Sequence, residues 1–383
     1  MRTGRTALVG ACFGLGRSGS TPRPRQQEYE VNPIHTAPTR AVRRLCAGWV
    51  LAVSLSVVAA TMSLKGQEPM EDMCAGEMQW MIGWCLDMVM PGDAVEVASL
   101  AASTASYSGG IESIDKPGAV ATRAFGINPQ GEIVGSYTEA GVTHGFLLRD
   151  GVFTTIDYPD APGAKTASTE AWGINARGDI IGRYTVVGQA SVLGFLLRRG
   201  DFTDISIPSA TGPGGKHLIT LPTKIGASGE IVGCYHDANA LIDMFGYVQR
   251  GSEVLSTFAL PSTIGPAATM HNGITPGGGT IVGLTNVAPG QARGYVLTNN
   301  ELTYLDAPGS TATNAWDINP TGTVVGQYSA GGRVHGFYWN NDGFVSLDVP
   351  NSTMTVARGI NPLGQIVGVY NDASGTHGFV TRP

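Results

Sequence analysis

Two residue types that can do chemistry recur at fixed places in this chain. Histidine opens the tripeptide His-Gly-Phe at three places: His144, His335 and His377. Aspartate recurs in the pattern Ile/Leu-Asp-x-Pro at four places: Asp115, Asp157, Asp306 and Asp348. Clustered histidines could bind a metal, and paired carboxylates could hydrolyse a glycosidic bond.

Recurrence argues against both kinds of site. A residue that a reaction needs once has no reason to appear in several copies, whereas a residue that shapes a repeat does. We therefore assign no catalytic residue and no metal ligand. We predict instead that each histidine bonds the backbone of its own repeat and that each aspartate caps the turn before proline.

A second set of candidates varies from copy to copy. These residues precede the glycine of a recurring Gly-Ile-Asn motif, or its replacement: Phe125, Trp172, Thr223, Asn272, Trp316 and Arg358. Aromatic side chains near the axis of a ring could stack on sugars or peptides, and an arginine would add a cation. The hypothesis of a ligand-binding site covers five of them: Phe125, Trp172, Asn272, Trp316 and Arg358.

Packing is the competing interpretation of the tryptophans, and the one we favour. Strand alternation would put Trp172 on the same face as Ile174, and Trp316 on the same face as Ile318. Both tryptophans would then fill the wedge between neighbouring repeats.

The repeat itself predicts the elements that position these residues. Its anchor isoleucines are spaced by 47, 51, 49, 44 and 42 residues: Ile127, Ile174, Ile225, Ile274, Ile318 and Ile360. In the first copy, Asn128-Pro129-Gln130-Gly131 has type I turn preferences, and Asp150-Gly151 is a strong hairpin signal. Four short strands separated by these turns predict an antiparallel meander, and periods of this length are typical of propellers.

The two ends of the repeat region complement each other. The segment Ile111–Pro117 matches a fourth strand with no first three before it, whereas the chain finishes on a third strand around His377. We therefore predict an all-β fold: a six-bladed β-propeller of four-stranded antiparallel blades, closed by an N-terminal strand that completes the last blade. Such closure removes exposed sheet edges.

The combination Gly-Ile-Asn-x-x-Gly-x-Ile-Val-Gly-x-Tyr followed by His-Gly-Phe resembles the bacterial probable extracellular repeat, HAF family. The resemblance covers 111–383. It departs from the family in reading His-Gly-Phe rather than His-Ala-Phe, and repeats two to four change the tripeptide to Leu-Gly-Phe, Phe-Gly-Tyr and Arg-Gly-Tyr. The resemblance implies export and no assigned reaction.

The residues upstream of the repeats divide into three predicted segments. Residues 1–44 form a disordered basic extension, and 45–62 form a signal peptide cleaved near Ala60 or, alternatively, part of a membrane anchor retained over 45–64. Residues 63–110 are a Met/Trp-rich leader and linker. An amphipathic helix, or a poorly ordered leader that packs on the main domain, is favoured there over a soft-metal site.

Composition limits the partners. The formal net charge of −6 argues against nucleic acid, which requires a basic stripe, and no cofactor motif is present. We predict an extracellular or cell-surface protein that acts as a non-catalytic binding or scaffold module for a carbohydrate or protein. The alternative is a polysaccharide-active hydrolase or lyase that uses one end of the propeller.

Overall fold

The computed structural model describes residues 105–209, 215–237, 243–260, 267–288, 291–340 and 342–382. These residues form strands and turns without any α-helix, so the all-β prediction is confirmed for this part of the chain. No helix among them has the length and apolar character needed to span a membrane. The predictions for 1–44 and 45–62, and for 63–110 up to residue 104, lie outside the described residues.

Twenty-five strands are numbered here in chain order. Before and within the first two repeats they are β1 (Ala105–Ser106), β2 (Gly110–Ile114), β3 (Ala121–Ile127), β4 (Ile133–Glu139), β5 (Val142–Arg149), β6 (Val152–Ile156), β7 (Thr166–Ile174), β8 (Ile180–Val186), β9 (Val192–Arg198) and β10 (Asp201–Ile205). The third and fourth repeats hold β11 (Ile219–Ile225), β12 (Glu230–His236), β13 (Asp243–Arg250), β14 (Glu253–Phe258), β15 (Ala267–Ile274), β16 (Thr280–Ala288), β17 (Gln291–Thr298) and β18 (Glu301–Leu305). The last two hold β19 (Ala312–Ile318), β20 (Val324–Ala330), β21 (Arg333–Asn340), β22 (Gly343–Leu347), β23 (Met354–Ile360), β24 (Ile366–Asn371) and β25 (Thr376–Arg382).

Repeats 1 to 5 begin at β3, β7, β11, β15 and β19, and each consists of four consecutive strands. In each of them every strand pairs antiparallel with the next, which confirms the predicted meander. Repeat 6 supplies three strands, β23 to β25. The architecture is that of a β-propeller.

The turn after the first strand forms as its residues predict. The Gly131 amide donates to the Asn128 carbonyl at 3.0 Å, and the Asn128 side-chain oxygen accepts from the amides of Gln130 and Glu132. The side-chain amide of Asn128 also reaches the Asn175 carbonyl at 3.4 Å in the next repeat. The turn asparagine therefore joins neighbouring repeats as well as shaping its own turn.

The third and fourth strands of repeat 1 meet in the predicted tight hairpin. Asp150 and Gly151 adopt φ of 50° and 77°, the left-handed conformation that a two-residue turn of this type requires. Glycine takes this conformation without a steric penalty, and aspartate tolerates it better than most residues. The Asp-Gly pair thus determines which residues of β5 and β6 pair.

The repeats pack on one another and around a common centre. A cluster that we call the central cluster takes buried side chains from all six repeats: Phe125, Trp172, Val192, Leu221, Cys234, Met244, Met270, Leu284, Trp316, Val356 and Val369. Separate clusters join neighbours; in one of them Val367 of repeat 6 packs with Ile127 of repeat 1. Cys234 is a small core residue and is fully buried.

The two strands before repeat 1 lie against the last two repeats. β2 pairs antiparallel with β25, from Gly110 opposite Arg382 to Ile114 opposite Gly378. This is the partner that the sequence predicted, with a strand that starts at Gly110 instead of Ile111. β1 falls in the predicted linker but is a short strand that pairs parallel with β22. A strand of two residues is too short to show an alternating pattern in the sequence.

A buried histidine in repeat 4 links stability to pH. His271 is 1% exposed, its Nδ1 lies 2.5 Å from the Tyr295 hydroxyl, and burial lowers its pKa from 6.5 to about 3. Between these two values the unfolded chain binds one more proton than the folded protein. The free energy of unfolding therefore falls as the pH falls through this window, by about 1.4 kcal/mol per pH unit.

We expect the variant His271→Gln to lose this contribution to the slope, because it has no ring to titrate. Urea unfolding of both proteins from about pH 7 to about pH 4.5 measures the two slopes. Acidic groups elsewhere titrate in both proteins, so the difference in slope isolates His271. Equal slopes would contradict a neutral, buried ring.

Candidate functional site

The residues proposed as ligand contacts all lie at β-bulges. In each repeat the pairing of the first two strands shifts by one residue, and the residue left without a partner is the variable one: Phe125, Trp172, Thr223, Asn272, Trp316 and Arg358. A bulge re-aims the side chain that it carries. All six variable positions therefore have the same backbone feature, a β-bulge.

The aromatic members pack together in the central cluster. Phe125 and Trp172 stack with ring centroids 4.3 Å apart, and Trp316 lies 6.3 Å from Trp172. Their exposed fractions are 6%, 5% and 3%. The packing interpretation is right about burial but wrong about the face, because Ile174 and Ile318 belong to two other clusters. The bulge shifts the alternation by one residue between each tryptophan and its isoleucine.

The polar members of the set occupy the same region. The half-buried Arg358 guanidinium lies 3.8 Å from the Trp316 ring centroid and 5.7 Å from that of Trp172. Asn272 is 2% exposed and donates its side-chain amide to the Ala315 carbonyl at 2.8 Å. The structure thus gathers Phe125, Trp172, Trp316 and Arg358 in one place, and Asn272 bonds the first strand of the neighbouring repeat.

A salt bridge between two distant repeats was missed in the sequence. Repeats 1, 2, 4 and 6 have glycine after the bulge, and a Cβ at Gly359 would stand 2.9 Å from the Phe125 carbonyl oxygen. Repeats 3 and 5 have Lys224 and Asp317 there instead, and their charged groups pair with each other. The Asp317 carboxylate also accepts the Ile360 amide at 3.0 Å. The sequence did contain a signal for this salt bridge, because two repeats carry opposite charges where the other four have glycine.

A small cavity lies where the first strands end. All six anchor isoleucines and Lys224 line it, with a proline or alanine from each turn, and it encloses about 50 Å³. A space of that size holds a water molecule or a small ion, whereas sites for organic ligands are typically ~300 Å³ or more. This cavity is too small for a sugar residue.

Each first strand carries a second variable position, four residues before its anchor isoleucine and so about 13 Å from the small cavity. Each repeat places one cross-strand pair there, from its first and second strands: Arg123/Ser136, Glu170/Arg183, Leu221/Cys234, Met270/Leu284, Asn314/Gln327 and Val356/Val369. The apolar pairs of repeats 3, 4 and 6 belong to the central cluster. Repeats 1, 2 and 5 supply polar pairs at the same positions.

We call the polar residues of this region, with Arg358, the central site: Arg123, Ser136, Glu170, Arg183, Asn314, Gln327 and Arg358. The Arg183 guanidinium lies 3.6 Å from the Trp172 ring centroid, and Glu170 accepts the Trp172 indole N–H at 3.0 Å. Gln327 accepts the Trp316 indole N–H at 3.2 Å. Two guanidinium groups and one carboxylate thus contact a buried aromatic floor, which is formed by Phe125, Trp172 and Trp316, and Arg123 occupies the equivalent strand position in repeat 1.

The recurring histidines face carboxylates rather than the backbone. In repeats 1, 5 and 6 the histidine Nδ1 lies 2.7–2.9 Å from an aspartate oxygen, in the pairs His144–Asp157, His335–Asp348 and His377–Asp115. Each ring also stacks on a second-strand tyrosine. The predictions of a backbone partner and of turn-capping aspartates are therefore wrong, because antiparallel pairing brings the two side chains together across the third and fourth strands.

The repeats that lack a His–Asp pair either replace both residues or keep a pair of opposite charges. Repeat 2 has Leu193 and Ser206 in place of histidine and aspartate, and Tyr158 stacks on Tyr184 with ring centroids 3.6 Å apart. In repeat 4, Arg293 replaces the histidine and binds the retained aspartate, Asp306. Such paired changes identify a structural contact within the repeat. Among the described residues, no group of three or more His, Cys, Asp or Glu side chains is arranged to hold a metal.

No protein-family model and no curated protein matches this chain. Solved structures similar to it include a streptogramin B lyase, with 14% identity over 71% of this chain and 97% of the other and a TM-score of 0.40. An inactive virginiamycin B lyase from Staphylococcus aureus with quinupristin has 14% identity over 72% and 100%, with a TM-score of 0.43. A putative gluconolactonase has 13% identity over 73% and 94%, with a TM-score of 0.41. Likeness at this level transfers no activity and no residue role.

Proposed function

We propose that the chain is an exported six-bladed β-propeller, related to the extracellular HAF repeats, that acts as a binding or scaffold module for an extracellular carbohydrate or protein. Three contacts support a closed ring of six blades. β2 pairs with β25, the Asn361 side chain donates to the Asn128 carbonyl at 3.3 Å, and isoleucines of all six repeats line one cavity.

The observation that carries the binding function is the variation in the central pairs. Structural positions of the repeat change little or in matched pairs: four repeats of six keep the turn asparagine, and the repeats without a His–Asp pair replace both residues or keep opposite charges. The central pairs instead change from apolar to polar to charged, and the polar pairs of repeats 2 and 5 hydrogen-bond tryptophans of the central cluster. Function in repeat folds resides in sites of this kind, added to a common scaffold.

Arg123 is the member of the central site best suited to contact a ligand. It is half-exposed, and its side chain makes no hydrogen bond or ion pair with the rest of the described chain. A hydrogen bond to a charged group is worth about 1.5–3 kcal/mol, so its loss weakens binding about tenfold or more. We therefore expect the variant Arg123→Ala to lower affinity by at least this factor.

Arrays of glycans and of peptides probed with the full-length protein test the proposal. The control is Arg149→Ala, an exposed arginine of the same repeat that pairs with Glu132. Equal affinities of the wild type and both variants would place the ligand elsewhere. Release of shorter products from a bound polysaccharide would favour the hydrolase or lyase alternative. N-terminal sequencing of the exported protein tests cleavage near Ala60 against an anchor retained over 45–64.

A further inference from the structure

We infer that the central site binds a uronic acid residue of an acidic polysaccharide, an inference that rests on the proposed binding function. The first argument is charge. Arg123, Arg183 and Arg358 bring three positive charges to this region against the one negative charge of Glu170. Lys224 and Asp317 cancel each other. The protein as a whole has a net charge of −6, so this local excess of positive charge runs against its composition.

Two of the three arginines are already engaged with the aromatic floor. Arg183 lies over Trp172 and Arg358 over Trp316, with each guanidinium less than 4 Å from the ring centroid: 3.6 Å for Arg183 and 3.8 Å for Arg358. The planar guanidinium group of Arg123 is therefore the one available to a ligand. A guanidinium matches the two oxygens of a carboxylate in a bidentate pair, which a neutral sugar cannot offer.

The neighbouring polar atoms favour a ligand that also carries hydroxyl groups. Ser136, the cross-strand partner of Arg123, is fully buried and its hydroxyl has no hydrogen-bond partner in the described structure. The side-chain oxygen of Asn314 is likewise a buried acceptor without a donor there. A carboxylate alone would supply no donor to Asn314. A uronic acid carries the carboxylate for Arg123 and hydroxyl donors on adjacent carbons.

The aromatic residues do not favour the usual mode of neutral sugar binding. Stacking on a sugar requires an exposed ring face, whereas Phe125, Trp172 and Trp316 are at most 6% exposed. Their faces are occupied by one another and by arginine side chains. The floor therefore positions the cations, and recognition depends on charge and hydrogen bonds.

The test compares three probes on the full-length protein by calorimetry: an oligomer of galacturonic acid, the same oligomer as its methyl ester, and a poly-glutamate peptide. We expect the free acid to bind and the ester to bind at least tenfold more weakly. Affinity for the free acid should fall with added salt. The variant Arg123→Gln should remove the preference for the acid, whereas Arg149→Gln should keep it.

The outcomes separate this inference from the proposed function. Binding of the ester or of a neutral glycan with undiminished affinity, still sensitive to Arg123, overturns the uronic acid and leaves a binding module. Tight binding of poly-glutamate at the same site points to an acidic peptide and overturns the carbohydrate. Binding of a ligand with no effect of Arg123→Gln, in a variant that unfolds at the wild-type temperature, overturns the site itself.

Discussion

The variant Gly326→Ala is expected to unfold at a much lower denaturant concentration than the wild-type protein. A Cβ at this position would stand 2.0 Å from the Asn314 carbonyl oxygen and 2.6 Å from the Phe337 ring. The first contact is with backbone, which cannot rotate away as a side chain can. We expect a loss of about 3 kcal/mol or more in the free energy of unfolding, at the upper end of overpacking effects.

The same crowding is present in every repeat. A Cβ would approach the first-strand carbonyl to 1.9–2.1 Å at all six second-strand glycines: Gly135, Gly182, Gly233, Gly283, Gly326 and Gly368. At the bulge, two first-strand residues lie opposite one residue of the second strand, and this brings the carbonyl over the glycine. The second-strand glycine is therefore required by the bulge that presents Phe125 and its equivalents.

The matched control is Gly277→Ala. Gly277 is an exposed turn glycine with nothing within 4 Å of its added Cβ and no positive φ, so we expect a change within about 0.5 kcal/mol. Urea titrations followed by tryptophan fluorescence measure both. Similar stabilities for the two variants would mean that the first two strands are not bulged as described.

The strand order was predictable because its signals are local. The Asn-Pro-x-Gly turn occurs in repeats 1, 5 and 6 and the Asp-Gly hairpin in repeats 1 and 5, and each involves residues that are close in the chain. The partner of β2 followed from counting strands at the two ends. The bulges were not predictable, because an unpaired residue in the middle of a strand has no signature in residue type. Without the bulge, strand alternation assigns Trp172 and Trp316 to the wrong face of the first strand.

The central site was predictable only in part. Variation at the bulge position indicated Phe125 and Arg358, but the central pairs two residues earlier required the pairing of β3 with β4. The salt bridge of Lys224 with Asp317 joins residues 93 apart and depends on how the repeats surround the centre. The His–Asp pairs could have been found by comparing repeats, since repeats 2 and 3 lack both partners.

The strand before repeat 1 should contribute strongly to stability. Ile114 is 6% exposed and packs with Ile127 and Phe146. Its neighbour Ser113 hydrogen-bonds the Tyr370 hydroxyl at 2.7 Å. We expect Ile114→Asp, which puts an unpaired carboxylate in this apolar cluster, to lower the free energy of unfolding by about 3 kcal/mol or more.

The control substitution is Val120→Asp, which introduces the same side chain six residues later at a position that is 73% exposed. We expect it to change stability by no more than about 0.5 kcal/mol. Thermal unfolding of the two full-length variants makes the comparison. A loss in Val120→Asp as large as that in Ile114→Asp would show that the effect comes from added charge and not from burial of β2.

A rescue experiment separates the pairing of β2 with β25 from ordinary core packing. If β2 in Ile114→Asp is displaced from β25, a synthetic peptide of residues 108–117 can pair with the exposed edge and form the bond between Asp115 and His377. A ligand that binds the folded state alone raises stability in proportion to the logarithm of its concentration. We expect this peptide to raise the unfolding temperature of the variant and leave that of the wild type unchanged, because its own β2 occupies the edge. A peptide with the same Ile→Asp change should have no effect. Absence of rescue by the native peptide would mean that β2 is not an exchangeable strand at the edge of repeat 6, and the closed ring would lose its main support.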